Sequence, residues 1–502
     1  VSFPSRLRLV DFARLRLAHF PRLRLAGAAM PVLAFLLGMW GSTGPSPWTD
    51  EIVTMDVARR SWPELFGLLG RVDAVHGLHY ALMHMVGQVT SVTAFTMRVP
   101  SAAAVAVAVA GTVWLGRSLG GPRSGVCAGL ALAVAPTASR YAQEGRSFAF
   151  VMAAAVLATG ALVKVLNEQD VRRRSLLAYA SAVAVLGWLN VLGLLLLAAH
   201  ALTVAWLRPG RRTALRVAGA QVAGLVTVAP LLIIGATQHS AVGEAPPVSA
   251  GTPLGFLSWL LSPGQDTLLP WMKLVLLGSV LTALTALAVR RRTAPPLLHA
   301  VALPWLVVPP LCLALAAVLQ PVFAYRYLLF CLPALVLLLA GGLFALHWTA
   351  RTALVLAMAV PLAFAHRAIR LEPSRAWDTA AAVRILHDHG APGDAVVFTG
   401  ARCGLISTAY EEAFAGLPDA GRARTAAETD ALDDEPVPPA VLARRLERAS
   451  RVWHVACTHV SEAARPAAER ADAQTEQEIR AAGLKPSRHF RTRGIELTLE
   501  TR

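Results

Sequence analysis

Residues 327–346 read YLLFCLPALVLLLAGGLFAL, an uncharged run as long as the roughly 20 residues with which an α-helix crosses about 30 Å of hydrocarbon. The runs Ala102–Leu115, Val191–Leu207 and Leu274–Val289 approach that length. Of the 502 residues 55% are hydrophobic and only 16% charged, whereas a soluble globular domain carries about 25% charged residues. So few charges cannot cover a soluble protein of this size, and the mean hydropathy of +0.52 agrees. The pattern predicts an α-helical polytopic membrane protein.

A formal charge of +16 would suggest a nucleic-acid partner for a soluble chain. Here the arginines gather in short clusters at the ends of apolar runs, which is how membrane orientation is written, and no nucleic acid is expected. Spans are predicted near 25–41, 99–117, 124–139, 147–165, 175–190, 191–207, 214–235, 271–289, 297–319, 327–346 and 350–366. The links at 117–123, 167–174, 208–212, 290–292 and 347–351 all carry Arg, while 237–271 up to Trp271 has neither Lys nor Arg in its loop. The clusters share one side only if about 11 transmembrane helices are counted with the N-terminus inside. Residues 42–97, 139–145, 237–270, 320–326 and everything after Arg367 then lie outside. His76–Val89 is apolar, but at about 14 residues it is too short to cross, so it is predicted as an interfacial helix of a structured outer loop. The cell-membrane chain thus divides into a basic cytoplasmic segment 1–24, a transmembrane domain 25–369 with the outer loop 42–97, and an extracytoplasmic domain 370–502.

In the first of these, Arg6-Leu7-Arg8, Arg14-Leu15-Arg16 and Arg22-Leu23-Arg24 either lie on an anionic inner leaflet or simply hold the N-terminus inside. So long a charged tract does not read as a cleaved signal peptide. In the last, helices are predicted at 377–389, 405–414 and 461–482 and strands at 394–398, 452–456 and 495–500, a small α/β domain with a polar insertion at 419–437. Gly400, Gly404 and Gly416 do not form a dinucleotide fingerprint, so no nucleotide is expected there. Cys403 and Cys457 stand near strand ends in a compartment that permits a disulfide. Cys127, Cys312 and Cys331 fall in apolar spans as ordinary buried thiols.

Polar residues at the outer ends of spans are the candidates for chemistry. Asp50 and Glu51 follow the first span: two carboxylates at a cavity mouth suit proton transfer, although Thr49 and Asp50 also suit a helix cap. Arg71, Asp73, His76 and His79 cluster at the start of the interfacial helix. No third ligand has a spacing compatible with the two histidines, so no metal is expected, and His76 either donates to a phosphate or substrate or anchors the interface. Arg98 opens the second span. Arg140, Tyr141, Gln143, Glu144 and Arg146 crowd one short turn, and such groups near lipid face a cavity or one another. Tyr325 and Arg326 enter the tenth span, as part of an aromatic belt or as a phosphate clamp. An ion channel or proton pump would place charges at mid-span, where almost none are found.

In four places this order of features resembles the GT-C membrane glycosyltransferases that use polyprenyl-phosphate sugars, the family of protein O-mannosyltransferases, the lipid A aminoarabinose transferase and actinobacterial mannosyl- and arabinosyltransferases. These are the acidic pair Asp50-Glu51, the loop helix running into Arg98-Val99-Pro100, the turn Tyr141-Ala142-Gln143-Glu144-Gly145-Arg146, and Arg326-Tyr327. The closing domain is similar to that of the bacterial branch at Ala380–Ala382 and Pro392–Asp394. Gly77-Leu78 stands where many relatives have Pro-Pro, and Gly145 where Ala is usual. The resemblance implies inverting transfer of one sugar, mannose or another, from a polyprenyl-phosphate donor to an extracytoplasmic acceptor hydroxyl on a glycan, protein or lipid, with no cofactor. It implies Asp50 as general base with Glu51 as its catalytic neighbour, and His76, Arg98, Tyr141, Glu144, Arg146, Tyr325 and Arg326 as substrate-binding residues. A transporter or flippase of lipid-linked sugar would share the cavity and the charges, but would need a path opening to both sides.

Overall fold

The computed structural model describes residues 21–238, 248–264, 268–289, 296–320, 322–458 and 465–502. The predicted basic pairs at 6–8 and 14–16, the arginines at 290–292 and the first residues of the helix predicted at 461–482 lie outside the described residues.

The described residues begin with α1 (Pro21–Met39), followed by α2 (Thr49–Arg59), α3 (Trp62–Arg71) and α4 (Gly77–Val89). Then come α5 (Ala94–Gly120), α6 (Pro122–Ala133), α7 (Pro136–Ala142), α8 (Phe148–Asn167), α9 (Arg173–Leu189), α10 (Leu196–Leu207) and α11 (Arg211–Thr237). The last helices before the C-terminal region are α12 (Thr252–Leu261), α13 (Pro270–Val289), α14 (Pro296–Leu319), α15 (Leu332–Ala345) and α16 (Trp348–Ala368). Local chemistry sets the starts. Ser61 caps α3 and takes back a bond from Glu64, and Thr93 and Thr96 do the same for α5.

Among the described residues, eight helices are long and apolar enough to cross a membrane: α1, α5, α8, α11, α13, α14, α15 with the 3-10 turn before it, and α16. Three predicted spans take other forms. Residues 124–139 are divided between α6 and α7, because the chain leaves the helix at Val134–Ala135 and Pro136 restarts it. At 175–190 stands α9, of 17 residues. At 191–207 a 3-10 turn, Val191–Leu195, precedes the 12-residue α10, with Asn190 Oδ1 accepting from Leu192 N–H at 2.9 Å. α4 has 13 residues, about 20 Å at 1.5 Å per residue, well short of the hydrocarbon thickness.

The stretch that opened the reading becomes the middle of the bundle: Leu328–Leu338 are buried at one continuous core shared with α5, α8, α13 and α14. By contrast α16 and the far turns of α14 turn Leu311, Leu315, Val318, Leu356 and Val360 outward, an apolar surface suited to lipid. At Gly342 the backbone of α13 comes so close that a Cβ would stand 2.2 Å from the Ala283 carbonyl oxygen.

Beyond α16 lie α17 (Thr379–His389), β1 (Ala395–Thr399), α18 (Leu405–Ala409), β2 (Arg422–Arg424), β3 (Glu435–Pro436), α19 (Pro439–Arg448), β4 (Arg451–Cys457), α20 (Arg465–Ala481), β5 (Lys485–Thr492) and β6 (Ile495–Thr501). Four strands form one sheet in the order β1-β4-β6-β5, with β1 parallel to β4 and the other pairs antiparallel. The strand at 485–492 and the helix Pro439–Arg448 were not predicted. Strand β5, KPSRHFRT, is a mostly exposed edge whose Lys485, Arg488 and Arg491 discourage further pairing, so it lacks the apolar alternation that announces a strand. The predicted helix 405–414 is α18 followed by a 3-10 turn, Glu411–Phe414. Cys403 and Cys457 are joined by a disulfide.

This region is not an appendage. Ile52, Val53, Val57, Leu65, Leu68 and Tyr80 share one core with Trp377, Leu386, Leu405, Ile406 and Trp453. Polar ties cross the same seam: Ser46 Oγ donates to Asp378 Oδ1 at 2.6 Å, Thr379 Oγ1 to the Pro47 carbonyl at 2.9 Å, and Arg60 Nη2 to the Ala431 carbonyl at 2.7 Å. α2 is therefore clamped between the bundle and the C-terminal domain.

Gly342→Leu drives a side chain into the Ala283 backbone and is expected to destabilise the bundle by about 1–3 kcal/mol, the usual cost of overpacking. Thermal unfolding in detergent checks it, with the C-terminal disulfide intact in both proteins.

Candidate functional site

Asp50 and Glu51 open α2. Trp48 occupies the cap position and no side chain caps this helix, so neither Thr49 nor Asp50 is spent there. Successive residues on a helix point about 100° apart, and the two carboxylates meet different surroundings.

Glu51 turns inward and is 3% exposed. It accepts Arg98 Nε on Oε1 and Arg98 Nη2 on Oε2, both at 2.8 Å, and its Oε1 also accepts the Gly145 N–H at 3.0 Å. Arg98 is fully buried and donates its remaining Nη1 to the carbonyls of Ser42 and Pro45. Both ends of this pair are used up in bonding α1's exit, α2, α5 and the 143–147 turn to each other. The carbonyl of Gly145 is held from the other side by His79 Nε2 at 3.2 Å. A Cβ at Gly145 would meet Met97 at 3.4 Å, ordinary contact, so the turn has room for alanine as well as glycine. The Gly77 N–H bonds to the Ala74 carbonyl, an interaction that proline lacks.

Asp50 turns the other way, and its side chain is 17% exposed. Arg146 Nε stands 3.8 Å from Oδ2 and Arg402 Nη1 stands 3.7 Å from Oδ1. Among the described residues no hydrogen bond reaches this carboxylate. Burial by itself would raise the Asp50 carboxyl, but the charges of Arg146, Arg326 and Arg402 together outweigh it and hold it below the usual carboxylate range. It stands ionised with its oxygens open.

Arg146 is buried at the centre of a relay. Its Nη1 donates to Tyr80 Oη at 3.2 Å, and that hydroxyl donates to Asp73 Oδ2 at 2.8 Å. Its Nη2 lies 3.4 Å from His76 Nε2, while its Nε has no hydrogen-bond partner. Burial, reinforced by the Arg146 charge, pushes His76 down to about 4. The imidazole is then neutral near pH 7, and acceptance on Nε2 leaves its proton on Nδ1, which is buried without a partner. His76 and His79 do not converge on one point, since one faces Arg146 and the other the Gly145 carbonyl.

Arg326 lies 6.0 Å from the Trp48 ring centre and 5.3 Å from that of Tyr327, and its buried Nε has no hydrogen-bond partner. Tyr141 and Tyr325 belong to an aromatic wall that meets at Trp259, with ring separations of 5.8 and 6.1 Å. Glu144 is buried with neither oxygen hydrogen-bonded, the nearest charge being Arg140 at 3.8 Å, and burial pushes its carboxyl up to about 7. The structure thus gathers His76, Arg146, Arg326 and Arg402 about the Asp50 carboxylate, and sets Glu51 and Arg98 behind it as framework. Sequence reading missed Arg402, Tyr80 and Arg375, whose Nη2 donates to the Gln143 carbonyl at 3.3 Å. Arg402 and Arg375 come from the far end of the chain, where no local pattern signals them; the one pointer to Arg402 was the cysteine beside it.

No protein-family model matches the sequence, and no curated protein matches it. Solved structures do match. ArnT from Cupriavidus metallidurans bound to undecaprenyl phosphate is 13% identical over 96% of this chain and 98% of its own, with a TM-score of 0.57. The same enzyme in the apo state is 12% identical over 95% and 97%, with a TM-score of 0.58. The chain shares the fold of ArnT. Identities this low carry the fold alone, and the site above stands on its own geometry.

Removing one partner of a buried ion pair leaves the other charge stranded, at a cost of about 3–5 kcal/mol. Arg98→Met is expected to lose stability on that scale in detergent thermal unfolding, whereas Asp50→Asn, which breaks no hydrogen bond and gives up only the longer-range attraction of Arg146 and Arg402, is expected to lose less.

Proposed function

We propose that the protein is a polyprenyl-phosphate-sugar-dependent glycosyltransferase. The observation that carries this reading is the Asp50 carboxylate, which among the described residues accepts no hydrogen bond and faces guanidinium groups with unused donors, in a chain with the fold of ArnT. ArnT was solved with undecaprenyl phosphate, and a lipid phosphate suits the unpaired N–H groups of Arg146 and Arg326.

In this reading the acceptor hydroxyl gives its proton to a carboxylate oxygen of Asp50 while its oxygen forms a bond to the anomeric carbon. The bond from that carbon to the phosphate oxygen breaks, and its electron pair leaves on the lipid phosphate. Attack and departure occur on opposite faces, so the configuration inverts. Arg146 and Arg326 take up the charge that develops on the leaving phosphate, where fixed cations in a partly dry site act most strongly. A carboxylate as weakly basic as Asp50 suffices, because the acceptor proton becomes acidic only as the new bond forms. His76, neutral, offers its Nδ1–H to the donor, and Tyr141 and Tyr325 line the approach. The sugar is mannose or another single sugar, and the acceptor a hydroxyl on a glycan, protein or lipid.

The test uses a synthetic polyprenyl-phosphate sugar with wild type, Asp50→Asn and Arg326→Gln in detergent. Asp50→Asn is expected to transfer about 10² to 10⁴ times more slowly with donor binding retained. Arg326→Gln is expected to weaken donor binding. In wild type, activity is present while Asp50 is ionised and is lost as pH falls through its value, so the acid limb should lie below about 3.9, the free aspartate value. Near wild-type turnover by Asp50→Asn would refute the base. Normal donor binding by every form with transfer by none would favour a transporter of lipid-linked sugar.

The same reading assigns three more crossings, α6 with α7, α9, and the 191–195 turn with α10, for about eleven in all. It sets residues 370–502 outside the cell membrane with the site. A single cysteine at Ala440, an exposed position, is then expected to react with a membrane-impermeant maleimide in intact cells, and one at Arg173 only after disruption. The opposite pattern would invert the topology.

A further inference from the structure

The reading of Asp50 as base rests so far on residues of the helical bundle, yet one of the two charges bracketing its carboxylate comes from elsewhere. Arg402 belongs to the C-terminal domain and approaches Oδ1 at 3.7 Å, while Arg146 approaches Oδ2 at 3.8 Å. Neither is within hydrogen-bonding reach, so the pair holds the carboxylate between two charges without occupying the lone pairs that must take the proton.

The loop bearing Arg402 is built to hold a fixed position. It leaves β1 through Gly400, at φ +96°, where a Cβ would stand 2.7 Å from the Cys457 carbonyl oxygen. Arg402 itself adopts φ +61°, a left-handed conformation that a side-chain-bearing residue disfavours and that persists only where the surroundings enforce it. Three ties enforce it here: the Arg402 N–H donates to Asp433 Oδ1, the Cys403 N–H donates to the Gly400 carbonyl at 3.2 Å, and Cys403 is joined to Cys457 at the end of the central strand β4. The Arg402 side chain is 30% exposed, so what directs it at Asp50 is this backbone and not a packed pocket.

We propose that Arg402 is a positioning residue of the transfer site, delivered by the disulfide-anchored 400–404 loop of the C-terminal domain to orient the Asp50 carboxylate. The proposal rests on Asp50 being the base. Asp50 is faced by Arg146 and Glu144 from the 143–147 turn, Tyr141 from α7, Arg326 from the entry to α15, His76 from the start of α4, and Arg402. Only the last is supplied by the C-terminal domain.

The experiment measures pH profiles of sugar transfer and the donor KM for the full-length wild type, Arg402→Gln, Arg402→Lys and the double variant Cys403→Ala/Cys457→Ala, with Asp50→Asn alongside. Loss of one opposite charge at this range is expected to move the acid limb of Arg402→Gln upward by about one pH unit and to lower kcat, with donor KM unchanged. Arg402→Lys is expected to restore the wild-type limb in part, and the double cysteine variant to reproduce the Arg402→Gln profile. An unmoved acid limb in Arg402→Gln, or a rise in donor KM in place of that movement, would overturn the proposal by making Arg402 a bystander or a phosphate ligand. An active Asp50→Asn would instead remove the base itself. Should the cysteine variant fail to fold, the Arg402 pair still decides, because both keep the loop and its disulfide.

Discussion

The arrangement depends on one buried ion pair, Glu51 with Arg98. Taking two charges out of water costs several kcal/mol each, and only good geometry with every donor and acceptor satisfied offsets it. That condition is met: the pair is bidentate, Arg98 spends its other nitrogen on two backbone carbonyls, and Glu51 takes the Gly145 N–H as well. A hydrophobic pair of the same volume would be at least as stable. It could not fix the rotation of α2, the start of α5 and the 143–147 turn against one another through directed bonds. Asp50 and Arg146 each adjoin one of those fixed points, one residue from Glu51 and one from Gly145, so the framework sets their separation.

Two neighbouring acids thus acquire opposite lives from a helical turn of about 100°. Glu51 is committed to three bonds, two on Oε1 and one on Oε2, inside the framework. Asp50 keeps its oxygens clear because its counter-charges stand just beyond bonding distance. The same economy governs the arginines: all three nitrogens of Arg98 are bonded, while among the described residues Arg146 and Arg326 each retain a buried Nε–H with no partner. An unpaired buried donor is costly in a resting protein, and a site that receives a phosphate recovers that cost on binding.

How much of this could be read from the sequence follows from the range of the interactions. The membrane class, the helix at 327–346, the short helix at 77–89 and three of the four main strands are local patterns, and they were legible. The crowded turn 140–146 was visible as a polar group too dense for lipid. Whether Arg98 paired with Glu51, Glu144 or a phosphate was not legible, because the partners are 47 residues apart and identical in character to their neighbours. The division of 124–139 at Val134–Ala135 was masked by hydropathy, which registers apolar length and is blind to a proline that restarts a helix. Strand β5 was hidden by its charges, which serve its place at the sheet edge.

Arg402 marks the limit of local reading, and it also bears on why the C-terminal domain is fused to the bundle. A domain that merely bound a partner would need no shared core with α2, α3 and α4, yet Leu405 and Ile406, immediately after the Arg402 loop, pack in one core with Ile52, Val53 and Val57 of α2. The helix that carries Asp50 and the loop that carries Arg402 are therefore two faces of the same hydrophobic contact. Any shift of the domain over the bundle moves the carboxylate and its charge partner relative to each other by the same amount. Rigid docking of the domain is then a requirement of the site, met by apolar burial across the seam and by the hydrogen bonds of Ser46, Arg60 and Thr379 that fix its register.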